Sequence, residues 1–343
     1  MGASAAVAKP LTLVSGYLGT GKTTLINHVL ASGALGRAAV VVNDFGSVNI
    51  DAALIRASGA DTVELTNGCI CCQITDDVQR TMTALAARDD LDHVVCEVSG
   101  IGNPAQLGAW RTYPGFRPGG VVVCVDAGVT LNRLRDEFVS DIVHAQIRAA
   151  DLLVVTKADS VSDSLLTKVW ETCAQIAGDV PVEVVRDESN DAARSGGAWE
   201  PVLRGLVELS SGRADGRADG LAGGPADGHA SAHTSMTVDL QEPVDVDRVV
   251  QVLDAHADDL VRAKGVVRAA DGTRVVVQLA GGVVTSRPGP EVPAGSGGTT
   301  TPAVPAEPDG ASARSSLVLI AAGPHAQQAL HRAAQDLGAQ TDA

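Results

Sequence analysis

Residues 11–30 read LTLVSGYLGTGKTTLINHVL: an apolar run, a glycine-rich loop, then an amphipathic stretch. Gly16, Gly21, Lys22 and Thr23 satisfy G-x-x-x-x-G-K-[ST], with Gly19 inside the loop. Such a loop works only where a strand hands over to a helix. Its backbone N–H groups and the helix N-terminus together cradle phosphate oxygens, and glycine lets the backbone come close. Lys22 is placed to reach the β- and γ-phosphates, and the Thr23 hydroxyl to ligate Mg²⁺. Thr24 follows in the first helical turn and is grouped with the nucleotide-binding residues.

The surrounding sequence has the pattern that this loop demands. Apolar runs recur at Leu11–Ser15, Ala38–Asn43, Thr62–Leu65, His93–Val98, Val121–Val125, Leu152–Thr156 and Val180–Val185. Helical patterns at Lys22–Leu30, Asp76–Ala87 and Ser164–Ile176 separate several of them. Runs that are apolar throughout, rather than alternating, read as strands buried on both faces. Only 2% of the residues are aromatic against 45% hydrophobic, so the core is Val, Leu, Ile and Ala. The expectation is an α/β fold with a mostly parallel sheet over residues 1–208. Residues 209–233, with a repeated Arg-Ala-Asp-Gly unit, read as a flexible linker whose His229 and His233 are solvated. Residues 234–343 read as a small α+β domain. It has a strand at Thr234–Leu240, a helix at Val246–Ala257, a hairpin turning at Asp271-Gly272, a strand at Leu317–Ala321 and a helix at His325–Leu337.

Charge narrows the partners. A net charge of −15 opposes nucleic acid and anionic membrane surfaces. The N-terminal residues lack the charged and apolar regions of a signal peptide, and no apolar run is long enough to span a membrane. The expected location is cytoplasmic, where thiols stay reduced. There, Cys69, Cys71 and Cys72, three of six cysteines within four positions, read as metal ligands or as a redox turn. Asn67, Gly68 and Gln73 mark the segment as a turn, whereas Cys96, Cys124 and Cys173 lie in apolar runs and read as core.

Two more elements bear on the nucleotide. Lys157 and Asp159, in LLVVTKAD, follow a buried run and resemble the guanine-reading N-K-x-D of P-loop GTPases, with Thr156 in place of Asn. Glu97 and Gly100, in CEVSG, are spaced like D-x-x-G with Glu for Asp. A carboxylate there holds Mg²⁺ through water or orients an attacking water, and the Gly100 amide faces the γ-phosphate.

The order P-loop, NDFGSVNID, NGCICC, EVSG, TKAD resembles the CobW-type GTPases, relatives of the HypB and UreG nickel chaperones that include zinc metallochaperones. VRAKGVVR and the last strand and helix resemble that family's C-terminal domain. The resemblance implies that Gly16 to Thr23 bind phosphate and Mg²⁺, and that Lys157 and Asp159 bind guanine. It also places Asp44 and Asp51 in a switch-like loop and the three cysteines in a metal site, which Asp44 or a water completes. Ser47 stands where relatives often have Glu.

The implied activity is GTP hydrolysis coupled to delivery of a divalent metal to a client metalloprotein. Zn²⁺ is favoured by the thiolate set. Co²⁺, for cobalamin synthesis or nitrile hydratase, is the alternative cargo, and a homo-oligomer is compatible with the chain. A small-molecule kinase and a nucleotide-regulated metal buffer or sensor without productive hydrolysis are the rival classes. Preferential ATP binding marks the first, and negligible GTP turnover the second.

Overall fold

The computed structural model describes residues 8–42, 61–64, 76–186, 197–212, 233–289 and 315–338. The chain divides into two units, Met1–Ala232 and His233–Ala343.

Among the described residues the first unit holds a seven-stranded sheet. Its strands are β1 (Lys9–Ser15), β2 (Ala38–Val42), β3 (Asp61–Glu64), β4 (His93–Glu97), β5 (Phe116–Asp126), β6 (Leu152–Thr156) and β7 (Val182–Val184). They lie in the order β3-β2-β4-β1-β5-β6-β7, with every pair parallel. β1, β4 and β6 are buried along their whole length, as expected for runs apolar throughout. Helices α1 (Lys22–Ser32), α2 (Asp76–Ala86), α3 (Thr130–Arg133), α4 (Ser140–Arg148), α5 (Asp163–Ala177) and α6 (Glu200–Ser210) connect or follow the strands, as does a 3₁₀ helix at Pro104–Thr112. One core cluster joins Leu25, Ile26 and Val29 of α1 to Val14, Val95, Val122 and Val154 of the sheet and to Val202 and Leu206 of α6. Each such side chain, fully buried, contributes roughly 1.5–3 kcal/mol of hydrophobic stabilisation.

Two strands begin earlier than their apolar runs suggest. β1 starts at Lys9, whose ammonium is buried and donates to the Ala86 carbonyl at 2.8 Å. β5 starts at Phe116 and runs through Pro118, Gly119 and Gly120, a stretch that reads locally as a turn. Pairing with β1 overrides that reading: the register shifts between Leu11 and Leu13, and a Cβ on Gly119 would sit 2.9 Å from the Leu11 carbonyl carbon.

The second unit is an antiparallel sheet of different character. Its strands are β8 (His233–Asp239), β9 (Arg262–Arg268), β10 (Arg274–Ala280), β11 (Val283–Pro288) and β12 (Ser316–Ala322), in the order β11-β10-β9-β12-β8. The β9–β10 hairpin turns at Gly272, whose φ of 85° supplies the left-handed residue that the Asp-Gly signal requires. Helices α7 (Val246–Ala255) and α8 (Ala326–Asp336) supply Val249, Leu253, Leu330 and Ala333 to a core with Val267, Val277, Leu279 and Leu319. β11, an edge strand, has no apolar pattern and was not expected; pairing with β10 creates it. Ordered structure also reaches into both ends of the 209–233 stretch. α6 runs to Ser210, and His233 opens β8 as a buried residue rather than a solvated one.

Candidate functional site

The site is built at the carboxyl ends of β1, β4, β5 and β6, where turns from adjacent parallel strands converge. Gly16, Gly19 and Gly21 all take positive φ (134°, 77° and 86°), so the loop between β1 and α1 depends on residues without a Cβ. At Gly16 a Cβ would collide with the Cys124 carbonyl oxygen. Gly21 is the left-handed N-cap of α1, and its carbonyl accepts from the Leu25 N–H at 2.9 Å. Lys22 and Thr23 therefore open the helix, with Thr24 after them. The Lys22 side chain is buried and folded back over the loop, donating to the carbonyls of Gly16 (2.9 Å) and Tyr17 (3.2 Å). A cation is thus stored among backbone oxygens at the phosphate-binding turn.

Glu97 ends β4 level with Val14 of β1, and the Val98 N–H continues the pairing to the Val14 carbonyl at 2.8 Å. Its carboxylate is buried. Gly100 then presses on the loop itself: a Cβ there would lie 2.5 Å from Leu18 Cδ2 and 2.9 Å from the Leu18 nitrogen. The Gln146 side-chain amide, from α4, donates to the carbonyls of Gly100 (3.1 Å) and Gly102 (2.9 Å). Burial and the neighbouring Glu97 charge push the Cys96 thiol up to about 12, so this cysteine is an inert core residue.

The third strand end carries Thr156, Lys157 and Asp159. Thr156 is fully buried, and its hydroxyl points inward to the carbonyls of Thr20 (3.0 Å) and Val125 (3.1 Å). The residue replacing the usual Asn therefore secures the phosphate loop instead of facing a base. Lys157 adopts φ 54° and ψ 32°, and its ammonium reaches the Gly19 carbonyl at 2.8 Å and Asp126 Oδ2 at 2.7 Å. Asp159 follows in the 3₁₀ turn Ala158–Ser160 and is exposed.

The loop thus holds Gly16, Gly19 and Gly21 and hands over to Lys22 and Thr23; Gly100 and Lys157 touch it, and Glu97 ends the neighbouring strand beside Val14. Asp44, Asp51, Cys69, Cys71 and Cys72 lie outside the described residues, and among the described residues no cluster of His, Cys, Asp and Glu is arranged for a metal. Sequence reasoning missed three polar residues beside the loop. These are the buried Asp126 and Gln146 and the half-buried Arg133, whose guanidinium lies 4.6 Å from the Tyr17 ring centroid. None belongs to a short motif; each is placed by a strand end or helix brought in from more than twenty residues away.

Residues 10–183 match the CobW/HypB/UreG nucleotide-binding domain, and residues 233–336 match the cobalamin synthesis protein CobW C-terminal domain. Among curated relatives, the zinc chaperone CobW of Sinorhizobium sp is 31% identical over 227 residues, covering 57% of this chain and 62% of that protein. The zinc chaperone CobW of Pseudomonas aeruginosa is 33% identical over 231 residues, covering 57% of this chain and 60% of that protein. The zinc chaperone YjiA of Escherichia coli is 29% identical over 274 residues, covering 74% and 80%. The matched region is therefore about 60% of the length of the first two relatives. With both of its units matched in order, the chain belongs to the CobW/HypB/UreG family.

Proposed function

We propose that the chain is a GTPase that carries a divalent metal, zinc first, on Cys69, Cys71 and Cys72, and releases it to a client metalloprotein. One observation carries the nucleotide half of this reading. Three separate elements, the phosphate loop, E-x-x-G and T-K-x-D, meet on a single backbone loop through Gly100 against Leu18 and Lys157 on Gly19. A kinase has no use for the Lys157 and Asp159 pair.

In this reading Lys22 exchanges the Gly16 and Tyr17 carbonyls for β- and γ-phosphate oxygens when GTP enters. The loop amides and the positive end of α1 hold the remaining phosphate charge. Asp159 accepts from the guanine edge, and Lys157 braces the loop beneath it. Glu97, a buried carboxylate, orients the water that attacks the γ-phosphorus. As that bond forms, the bond to the bridging oxygen breaks, leaving GDP and phosphate. The Gly100 N–H stabilises charge on the γ-phosphate oxygens. The Thr23 hydroxyl and the Glu97 carboxylate are oxygen donors of the kind Mg²⁺ takes, and Mg²⁺ when bound neutralises phosphate charge.

Zinc as cargo is supported by the thiolate set and by the zinc chaperones among the relatives. Asp44 or a water completes the ligand set, and Co²⁺ is the alternative cargo. GTP must then tighten metal binding by the factor with which metal tightens GTP, on the order of 5- to 150-fold. The test is an anaerobic zinc titration with GDP and with a non-hydrolysable GTP analogue, alongside GTP turnover with and without zinc. Tighter zinc binding in the GTP-analogue state, abolished by Ser at positions 69, 71 and 72, is the expected result. Equal affinities in both nucleotide states overturn nucleotide-driven delivery.

A further inference from the structure

Asp126 has no part in the scheme above, yet it is a buried carboxylate at the centre of the site. It ends β5, in register with Thr156 at the end of β6. The residue is 4% exposed, and its two oxygens have separate partners. Oδ1 accepts from the Gly128 N–H at 2.8 Å, closing the turn after the strand. Oδ2 faces the Lys157 ammonium at 2.7 Å.

Lys157 is the only non-glycine residue with positive φ among the described residues. A left-handed lysine is strained, so surrounding contacts must hold it there. Its ammonium supplies them, spanning Asp126 and the Gly19 carbonyl. A backbone carbonyl alone is a weak offer to an ammonium that water would otherwise solvate. The Asp126 charge makes the inward position favourable. The Lys157 side chain is 29% exposed, and Asp159 leaves the same turn two residues later.

We infer that Asp126 is a positioning residue for nucleotide-base recognition, acting through Lys157 to fix the T-K-x-D turn against the phosphate loop. This rests on the guanine reading of Lys157 and Asp159. Asp126→Asn keeps an oxygen for the Gly128 N–H but turns an amide towards the ammonium, so the turn after β5 survives while the anchor is lost.

The experiment measures GDP and ADP affinities by calorimetry for the full chain, Asp126→Asn, Lys157→Met and the double variant, with thermal melts as the folding control. The expected result is a guanine preference in the unaltered chain that falls about tenfold in Asp126→Asn, on the scale of one charge-assisted contact. ADP affinity, set by the phosphate loop, changes little. The double variant loses no more than Lys157→Met alone. A guanine preference untouched by Asp126→Asn overturns the proposal while leaving the guanine site intact. Equal losses of GDP and ADP affinity, or additive losses in the double variant, give Asp126 a purely structural role and also overturn it. If the unaltered chain binds GDP and ADP alike, the guanine reading fails and this inference falls with it.

Discussion

The two sheets of this chain solve different problems. In the first unit every strand pair is parallel, so all carboxyl ends lie at one edge and the turns leaving β1, β4, β5 and β6 gather there. In the second unit neighbours are antiparallel, so successive strand ends alternate between the two edges and, among the described residues, no comparable set of turns converges. Burial differs most at particular strands: β4 and β6 are buried throughout and β12 nearly so, whereas β11 is almost wholly exposed and β8 is mixed. A parallel sheet concentrates polar chemistry at one rim and must satisfy each buried polar group it keeps. The antiparallel one keeps buried polar groups too, Arg262, Lys264 and Ser315 among them, and Ser315 is satisfied by the Arg268 N–H and Glu242.

The sharpest way to break this contrast is to unpair a buried charge. Arg111 and Asp151 face each other at 3.4 Å with both side chains buried, and Asp151 also accepts from the Val121 N–H at 2.8 Å. Arg111→Ala leaves the Asp151 carboxylate without its countercharge and is expected to cost roughly 3–5 kcal/mol. Urea unfolding followed by hydrogen exchange should place that loss in residues 8–212 and leave 233–338 protected. Equal loss in both would show that the units do not differ as described.

The second effect is catalytic. Lys22→Ala should lower GTP turnover about 10²- to 10³-fold, the scale for removing one preorganised charge donor. The second unit's unfolding should not change. Phosphate-release kinetics check the first statement, and a native rate would mean that the phosphate site lies elsewhere.

Acid should separate the units next. Burial, with a smaller contribution from the Arg117 charge, pushes His93 down to about 4. Thr12 Oγ1 gives its hydrogen to the Gly119 carbonyl at 2.8 Å, so His93 Nε2, also 2.8 Å away, is the donor of a neutral ring. Above the unfolded value near 6.5 neither state is protonated, and His93 adds no pH dependence. Between 6.5 and about 4 only the unfolded chain takes the proton, so stability falls by ~1.4 kcal/mol per pH unit. At pH 5 the first unit should have lost about 2 kcal/mol, and His93→Gln should remove that slope. An unchanged slope in the variant would assign the acid sensitivity to other groups.

The smallest effect concerns the linker read over residues 209–233. Deleting 213–230 should leave nucleotide affinity within about twofold and both units' stability within about 0.5 kcal/mol, since a Gly/Ala/Asp repeat offers no apolar surface. Unfolding of either unit on deletion would show that the repeat packs.

What was legible in the sequence follows from how local each cause is. The phosphate loop depends on glycines in its own eight residues, and the Asp271-Gly272 hairpin on its own turn, so both could be read directly. The cores of the parallel strands were readable because burial on both faces leaves uninterrupted Val and Leu. Lys9 and Pro118 were not, because each is made acceptable by a partner far along the chain: the Ala86 carbonyl and β1. Asp126 is the same case within the site. A lone Asp after an apolar run reads as a solvated stop until Lys157, 31 residues later, is brought beside it.

Thr156 carries a lesson for anyone who would redesign this protein from consensus. Replacing it with the Asn common at that position would look like restoring a lost base contact. But the side chain is fully buried and bonded to Thr20 and Val125, on the inner side of its strand end. An amide there would have to remake both contacts to keep the tether to Thr20 and Val125. Here the letter that departs from the motif is the one that ties two strand ends to the loop.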